Sequence, residues 1–250
     1  MDLQLSGARA IVTGGSGAIG RAVARGLIAE GARVAIVARD RQRLRAAADD
    51  LRRPGADVLA VPTDTTDDSA VRAMVDAVAA AWGGVDVLVN AAAEPSPGAP
   101  PPLAELTEAA VAADFDTKVL GYLRCARAVA PHMTAQGAGR IVNVSGLNAR
   151  RTGSVSGTIR NVAVAALTAN LADELGARGV GVAVVHPGLV DTGRIPAPLA
   201  DRVAAASSLH RLVTVDEVAD VVVFLCSRRA AAVTGDAVGV AGGNRGAVHY

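Results

Sequence analysis

Short apolar segments rich in β-branched residues alternate with amphipathic stretches along the whole chain, and no other feature restricts the fold as much. The strand-like segments are residues 8–12, 33–38, 57–62, 85–90, 140–144, 180–186 and 237–240. The early ones are short and continuously apolar, as strands covered on both faces are. Between them lie helix patterns over residues 18–30, 41–52, 68–81, 106–136, 155–176 and 215–227. Such alternation implies right-handed crossovers. It predicts an α/β fold, a doubly wound parallel sheet of about seven strands with helices on both faces. No repeat and no polar linker divides the chain, so one domain over 1–250 is expected. A chain this long buries roughly 70–75% of its unfolded surface, and a composition 51% hydrophobic supplies the core. A Pro-rich piece at 94–102 and a segment at 195–212 interrupt the alternation after strands, where open α/β sheets bind ligands. The second reads as an inserted lid carrying Leu199, Val203 and Leu209.

The first crossover has its own signature. Residues 10–20 read AIVTGGSGAIG, an apolar run followed by small residues and then a helix start. Glycines there let the backbone approach a bulky ligand, and the first helical turn offers unpaired N–H groups and the positive end of its dipole. Together these suit a pyrophosphate. A plain turn has the same composition, so the rest of the chain decides.

Three further landmarks follow in order: Asp64 after the third strand, Asn90-Ala91-Ala92-Ala93 after the fourth, and Pro187-Gly188-Leu189-Val190-Asp191-Thr192 after the sixth. On these residues the chain resembles the short-chain dehydrogenase/reductases over nearly its whole length. The resemblance implies a Rossmann-type dinucleotide fold. It implies that Gly14, Ser16, Ala18, Ile19 and Gly20 cradle the pyrophosphate, that Asp64 holds the adenine amino group, and that Asn90 lies behind the cofactor. Pro187, Gly188, Val190 and Thr192 match the segment that contacts the nicotinamide amide. The second strand ends Val37-Ala38-Arg39-Asp40, without the carboxylate that an NAD-type protein puts at position 38. Arg39 can pair with a 2′-phosphate, which favours NADP(H) over NAD(H), or it solvates a loop beside Arg41 and Arg43.

The family's proton-handling residues are missing. That chemistry needs a phenol, whose pKa near 10 is lowered by a lysine one helical turn on. Here the corresponding helix reads Gly157-Thr158-Ile159-Arg160-Asn161-Val162-Ala163. Anchored on Leu167-Thr168, Gly157 falls at the tyrosine and Asn161 at the lysine, and no other register supplies a phenol or an amine. The serine position falls on Ser145 or on Gly146. Where the family has an asparagine on the preceding helix, this chain has Lys118, the only lysine among 25 basic residues. Asparagine and lysine therefore look exchanged between two helices. The resulting catalytic candidates are Ser145, Lys118 and Asn161, against the alternative of an ordinary lysine facing solvent.

Other polar residues leave two readings each. Tyr122, four residues after Lys118, is a relocated phenol or interface packing; Tyr250 is a frayed end or the tail of a neighbouring subunit. His210, in the segment read as a lid, is the best-placed histidine, while His132, His186 and His249 read as structural or terminal. Arg150, Arg151 and Arg160 bind an anionic substrate or face water.

A net charge of +1 and 2% aromatic residues argue against nucleic acid and membrane surfaces as partners. Cys125 and Cys226 lack neighbouring His or Cys, so buried thiols are expected, with no metal site. No signal-peptide pattern opens the chain, and a cytoplasmic location is expected. Three functions remain: an NADP(H)-dependent oxidoreductase with a rebuilt acid–base set, a non-redox lyase, isomerase or cyclase on the same scaffold, and a cofactor-binding subunit or sensor without turnover. The resemblance implies a homodimer or homotetramer, and the apolar lid suggests a small apolar or cyclic substrate.

Overall fold

The computed structural model describes residues 1–93, 100–193, 195–243 and 245. Its elements run β1 (Arg9–Thr13), α1 (Ala18–Ala29), β2 (Arg33–Ala38), α2 (Arg41–Leu51), β3 (Val58–Pro62), α3 (Asp68–Trp82) and β4 (Val87–Asn90). The second half continues with α4 (Glu108–Phe115), α5 (Gly121–Gln136), β5 (Gly139–Val144), α6 (Val155–Leu175), β6 (Val180–Pro187), β7 (Val190–Asp191), α7 (Ala197–Ala206), β8 (Val213–Thr214), α8 (Val215–Cys226) and β9 (Ala237–Val240). Seven strands form one sheet in the order β3-β2-β1-β4-β5-β6-β9, and every pairing is parallel. This is the doubly wound single domain that the alternation predicts. The strand order reverses between β1 and β4, which opens a crevice at their carboxyl ends.

Alternate residues of each strand feed opposite layers. Val12, Val34, Ile36, Val89 and Val185 pack with α1, α2 and α8. Ile11, Val37, Leu88, Ile141 and Val182 pack with α3 and α5. A smaller cluster of Val119, Tyr122, Val164 and Val184 fills the space beneath α6 near the carboxyl end of the sheet. Cys125 and Cys226 are free thiols inside these layers. No helix among the described residues is long and apolar enough to cross a membrane.

Two regions differ from the sequence reading. The stretch 106–136 is not one helix. Thr107 caps α4 by accepting from Ala110 N–H at 3.2 Å, and a π-helical turn (Asp116–Leu120) joins α4 to α5. The wider turn brings Lys118 and Val119 to face inward, where both are buried. A π turn is set by packing, and nothing in local composition announces it. The stretch 195–212 holds α7, and its flanks meet: β7 and β8 pair as a separate two-stranded ribbon through Val190–Val213 and Asp191–Thr214. Two-residue strands leave no periodic signal to read. Part of the Pro-rich piece at 94–102, His249 and Tyr250 lie outside the described residues.

Candidate functional site

The turn at the crevice between β1 and β4 is built from glycines because its backbone lies too close to the end of β4 for side chains. Gly14 adopts φ +66°, and a β-carbon there would come within 2.5 Å of Ala91 O. A β-carbon on Gly20 would run into the carbonyl of Gly14. The glycines therefore let the turn lie flat against the end of β4. Gly17 is the N-cap of α1 and no side chain caps it, and the first turn holds no acidic residue. The N–H groups of Ala18, Ile19 and Gly20 are thus left without a side-chain cap at the positive end of the helix dipole, as an anion site requires. Thr13, which the sequence reading passed over as a site residue, organises this corner: its hydroxyl accepts from Ala91 N–H at 3.1 Å and Ala92 N–H at 3.3 Å.

The other cofactor candidates are distributed along the same edge. Ser16 lies in the glycine turn, and Arg39 is exposed at the carboxyl end of β2. Asp64 follows β3, and its Oδ1 takes the bonds from Thr66 N–H and Thr66 Oγ1, leaving Oδ2 as an acceptor. Pro187 and Val190 are buried, Gly188 is half-buried and Thr192 is exposed after β7. Asn90 is fully buried, and its amide donates to Asn143 Oδ1 at 3.0 Å, tying β4 to β5. It shapes the floor of the crevice. A bound nicotinamide dinucleotide, with its pyrophosphate on α1, fits these residues.

The three catalytic candidates meet at the carboxyl end of β5. Lys118 is 4% exposed, and its Nζ donates to Ser145 O at 2.9 Å. The alternative of a lysine facing solvent does not hold. Ser145 Oγ donates to Asn161 O at 3.1 Å, so this hydroxyl is engaged with backbone. Asn161 is buried on α6, with its Oδ1 unpartnered among the described residues. A β-carbon on Gly146 would lie 2.8 Å from Asn161 Nδ2. The asparagine amide thus occupies the room a serine side chain at 146 would need. Gly157, one turn earlier on α6, is buried too.

Charge around this point is arranged in pairs. Asp114 of α4 binds Arg160 of α6 and accepts from Ser156 Oγ. Burial, and then the Arg160 guanidinium, push the Lys118 ammonium down to about 7, while Asp114 pulls it partly back. His186, on β6, is 1% exposed with Nδ1 unpartnered among the described residues. Burial first, then Arg150 and Lys118, lower its pKa to about 4. It is neutral at pH 7.

Tyr122 is neither at an interface nor a free phenol. It is 1% exposed, and its hydroxyl donates to Val144 O at 2.9 Å. Burial raises its pKa far above the usual range. His210 is exposed at φ +54°. Arg150 donates to Ala237 O at 2.9 Å, Arg160 is paired as above, and Arg151 is exposed.

A family model described as enoyl-(acyl carrier protein) reductase matches residues 14–245. The chain belongs to the short-chain dehydrogenase/reductase family. Among relatives in this family, it is 37% identical over 241 residues to cis-4-hydroxycyclohexanecarboxylate dehydrogenase of Sinomonas cyclohexanicum, covering 94% of this chain and 95% of the relative. It is 34% identical over 246 residues to the (2S)-[(R)-hydroxy(phenyl)methyl]succinyl-CoA dehydrogenase subunit BbsC of Thauera aromatica, covering 97% and 96%. Among solved structures of the family, L-sorbose reductase from Gluconobacter frateurii, complexed with NADPH and L-sorbose, superimposes with a TM-score of 0.90 at 30% identity, covering 99% of this chain and 100% of that one.

Proposed function

We propose that this protein is an NADP(H)-dependent oxidoreductase in which Lys118 takes over the acid–base work. The observation that carries the reading is the Lys118 side chain, turned inward from the π turn onto Ser145 O at the carboxyl end of β5. A lysine near pKa 7 gives up and regains a proton at neutral pH, as an arginine there would not. Asn161 offers an amide beside it, and Ser145 holds Asn161 and Lys118 in register through its backbone and hydroxyl. When bound, the nicotinamide supplies or accepts hydride. The protein's part is to orient the pyrophosphate on α1, to keep water from Lys118 and to pass one proton. Arg39 at the end of β2 favours a 2′-phosphate and so NADP(H). A sorbose reductase complexed with NADPH accords with this choice. The relative acting on a hydroxycyclohexanecarboxylate favours a small cyclic substrate. Val155, Ile159 and Val162 form an exposed apolar stripe on α6, which supports pairing of subunits into a homodimer or homotetramer.

The test follows loss of reduced-cofactor absorbance with cyclic ketones. Turnover is expected with NADPH, and Lys118→Met is expected to lower kcat by roughly 10²–10⁴-fold. Cofactor binding without any turnover would overturn the reading. It would instead favour a non-catalytic subunit, which two observations support: the Ser145 hydroxyl is bound to backbone, and one relative is a dehydrogenase subunit.

A further inference from the structure

A cavity of about 290 Å³ lies between α7 and the carboxyl ends of β5 and β6. Its wall is apolar: Leu147 from the turn after β5, Leu189 after β6, and Leu199 and Val203 from α7. Ser207 spends its hydroxyl on Gly242 O, which leaves Arg151 from the body and Arg202 from α7 as the charged groups of the wall. Among the described residues, neither guanidinium makes an ion pair or a hydrogen bond. Other arginines of this region are engaged. Arg150 donates to Ala237 O, Arg160 binds Asp114, and Arg211 binds Glu217 at 2.5 Å. The two that remain are exposed residues that line one apolar hollow. Two exposed guanidiniums lining one small hollow offer a site to an anion, and water screens their mutual repulsion when none is bound.

We propose that this cavity binds a small cyclic carboxylic acid, with the ring against the leucines and the carboxylate between Arg151 and Arg202. The volume sits at the lower end for ligand pockets, room for one ring and a short acid rather than a nucleotide or an acyl carrier. A guanidinium matches a carboxylate in a planar fork, and two of them satisfy both oxygens. A neutral sugar would leave both arginines unanswered. Leu147 follows Gly146 directly and Leu189 follows Gly188, so the ring end lies next to the strand ends where the cofactor candidates gather. Arg202 is on α7, so an anion held by both arginines also ties α7 to the body. The assignment of this ligand as substrate rests on the oxidoreductase reading; the binding does not.

Calorimetric titration of the full chain, without cofactor, tests it with cyclohexanecarboxylate against its neutral isostere cyclohexanecarboxamide. The acid is expected to bind about tenfold or more tightly than the amide, the factor a charge-assisted hydrogen bond supplies. Arg151→Gln and Arg202→Gln are each expected to remove most of that preference. Arg53→Gln, which removes an equal charge from an exposed site outside the cavity, is expected to leave it unchanged. Equal affinity for acid and amide, no binding of either, or a preference that survives both pocket variants would overturn the proposal. NADPH oxidation is read separately with 4-oxocyclohexanecarboxylate, whose ketone can accept the hydride. Acid binding without oxidation would end the oxidoreductase reading alone. Oxidation with neutral cyclic ketones and no preference for the acid would end this one alone.

Discussion

In the proposed function, cofactor choice turns on Arg39 and the chemistry on Lys118. Arg39→Ala is expected to weaken NADPH binding by about 10- to 100-fold, the value of a charge-assisted hydrogen bond, and to leave NADH binding nearly unchanged. Parallel titrations with the two cofactors measure it. At Lys118, arginine is the informative partner to methionine. Lys118→Arg keeps the charge but cannot release a proton, so it is expected to lose activity as methionine does. Lys118 was legible as a candidate because it stands alone in a chain that otherwise uses arginine, and the structure buries it against Ser145 O. The use of the Ser145 hydroxyl on Asn161 O was not legible, because it depends on how closely α6 approaches β5. Tyr122 was misplaced for the same reason: its partner, Val144 O, is distant in sequence.

Between elements, the Asp114–Arg160 pair links α4 to α6 beside Lys118. Asp114 raises the Lys118 pKa and Arg160 lowers it. Asp114→Asn leaves Arg160 unopposed, so the pH limb of kcat that reports Lys118 is expected to move to lower pH, and a pH–rate profile reads the shift. The seven strands of the sheet were legible to within two residues, since each is a short apolar run bounded by turn residues. Helix ends were legible where a side chain caps them, as Asp40 caps α2, Asp67 caps α3 and Ser154 caps α6. The break at 116–120 was not, because no side chain caps the π turn and packing rather than local composition sets it.

For the whole molecule, buried titratable groups set the dependence of stability on pH. The lysine at 118 is about 7 in the fold against its usual 10.5, so between those values the unfolded chain binds more protons and stability rises with pH. Cys125 and Cys226 are both raised to about 12, so above their usual 9 the unfolded chain loses protons first and stability falls. His186, lowered to about 4, adds a rise between 4 and its usual 6.5. Thermal melts across pH are therefore expected to peak close to the usual thiol pKa, and in Lys118→Met the rise above pH 7 is expected to flatten. The place of Asn161 beside Gly146 also bears on how this protein changes over generations. Gly146→Ser alone forces a side chain into an occupied space, at a cost of about 1–3 kcal/mol, and Gly146→Ser with Asn161→Ala is expected to recover most of it in a double-mutant cycle. A side chain at 146 and the amide at 161 exclude each other, so a hydroxyl can enter at 146 only once the amide has given up its room.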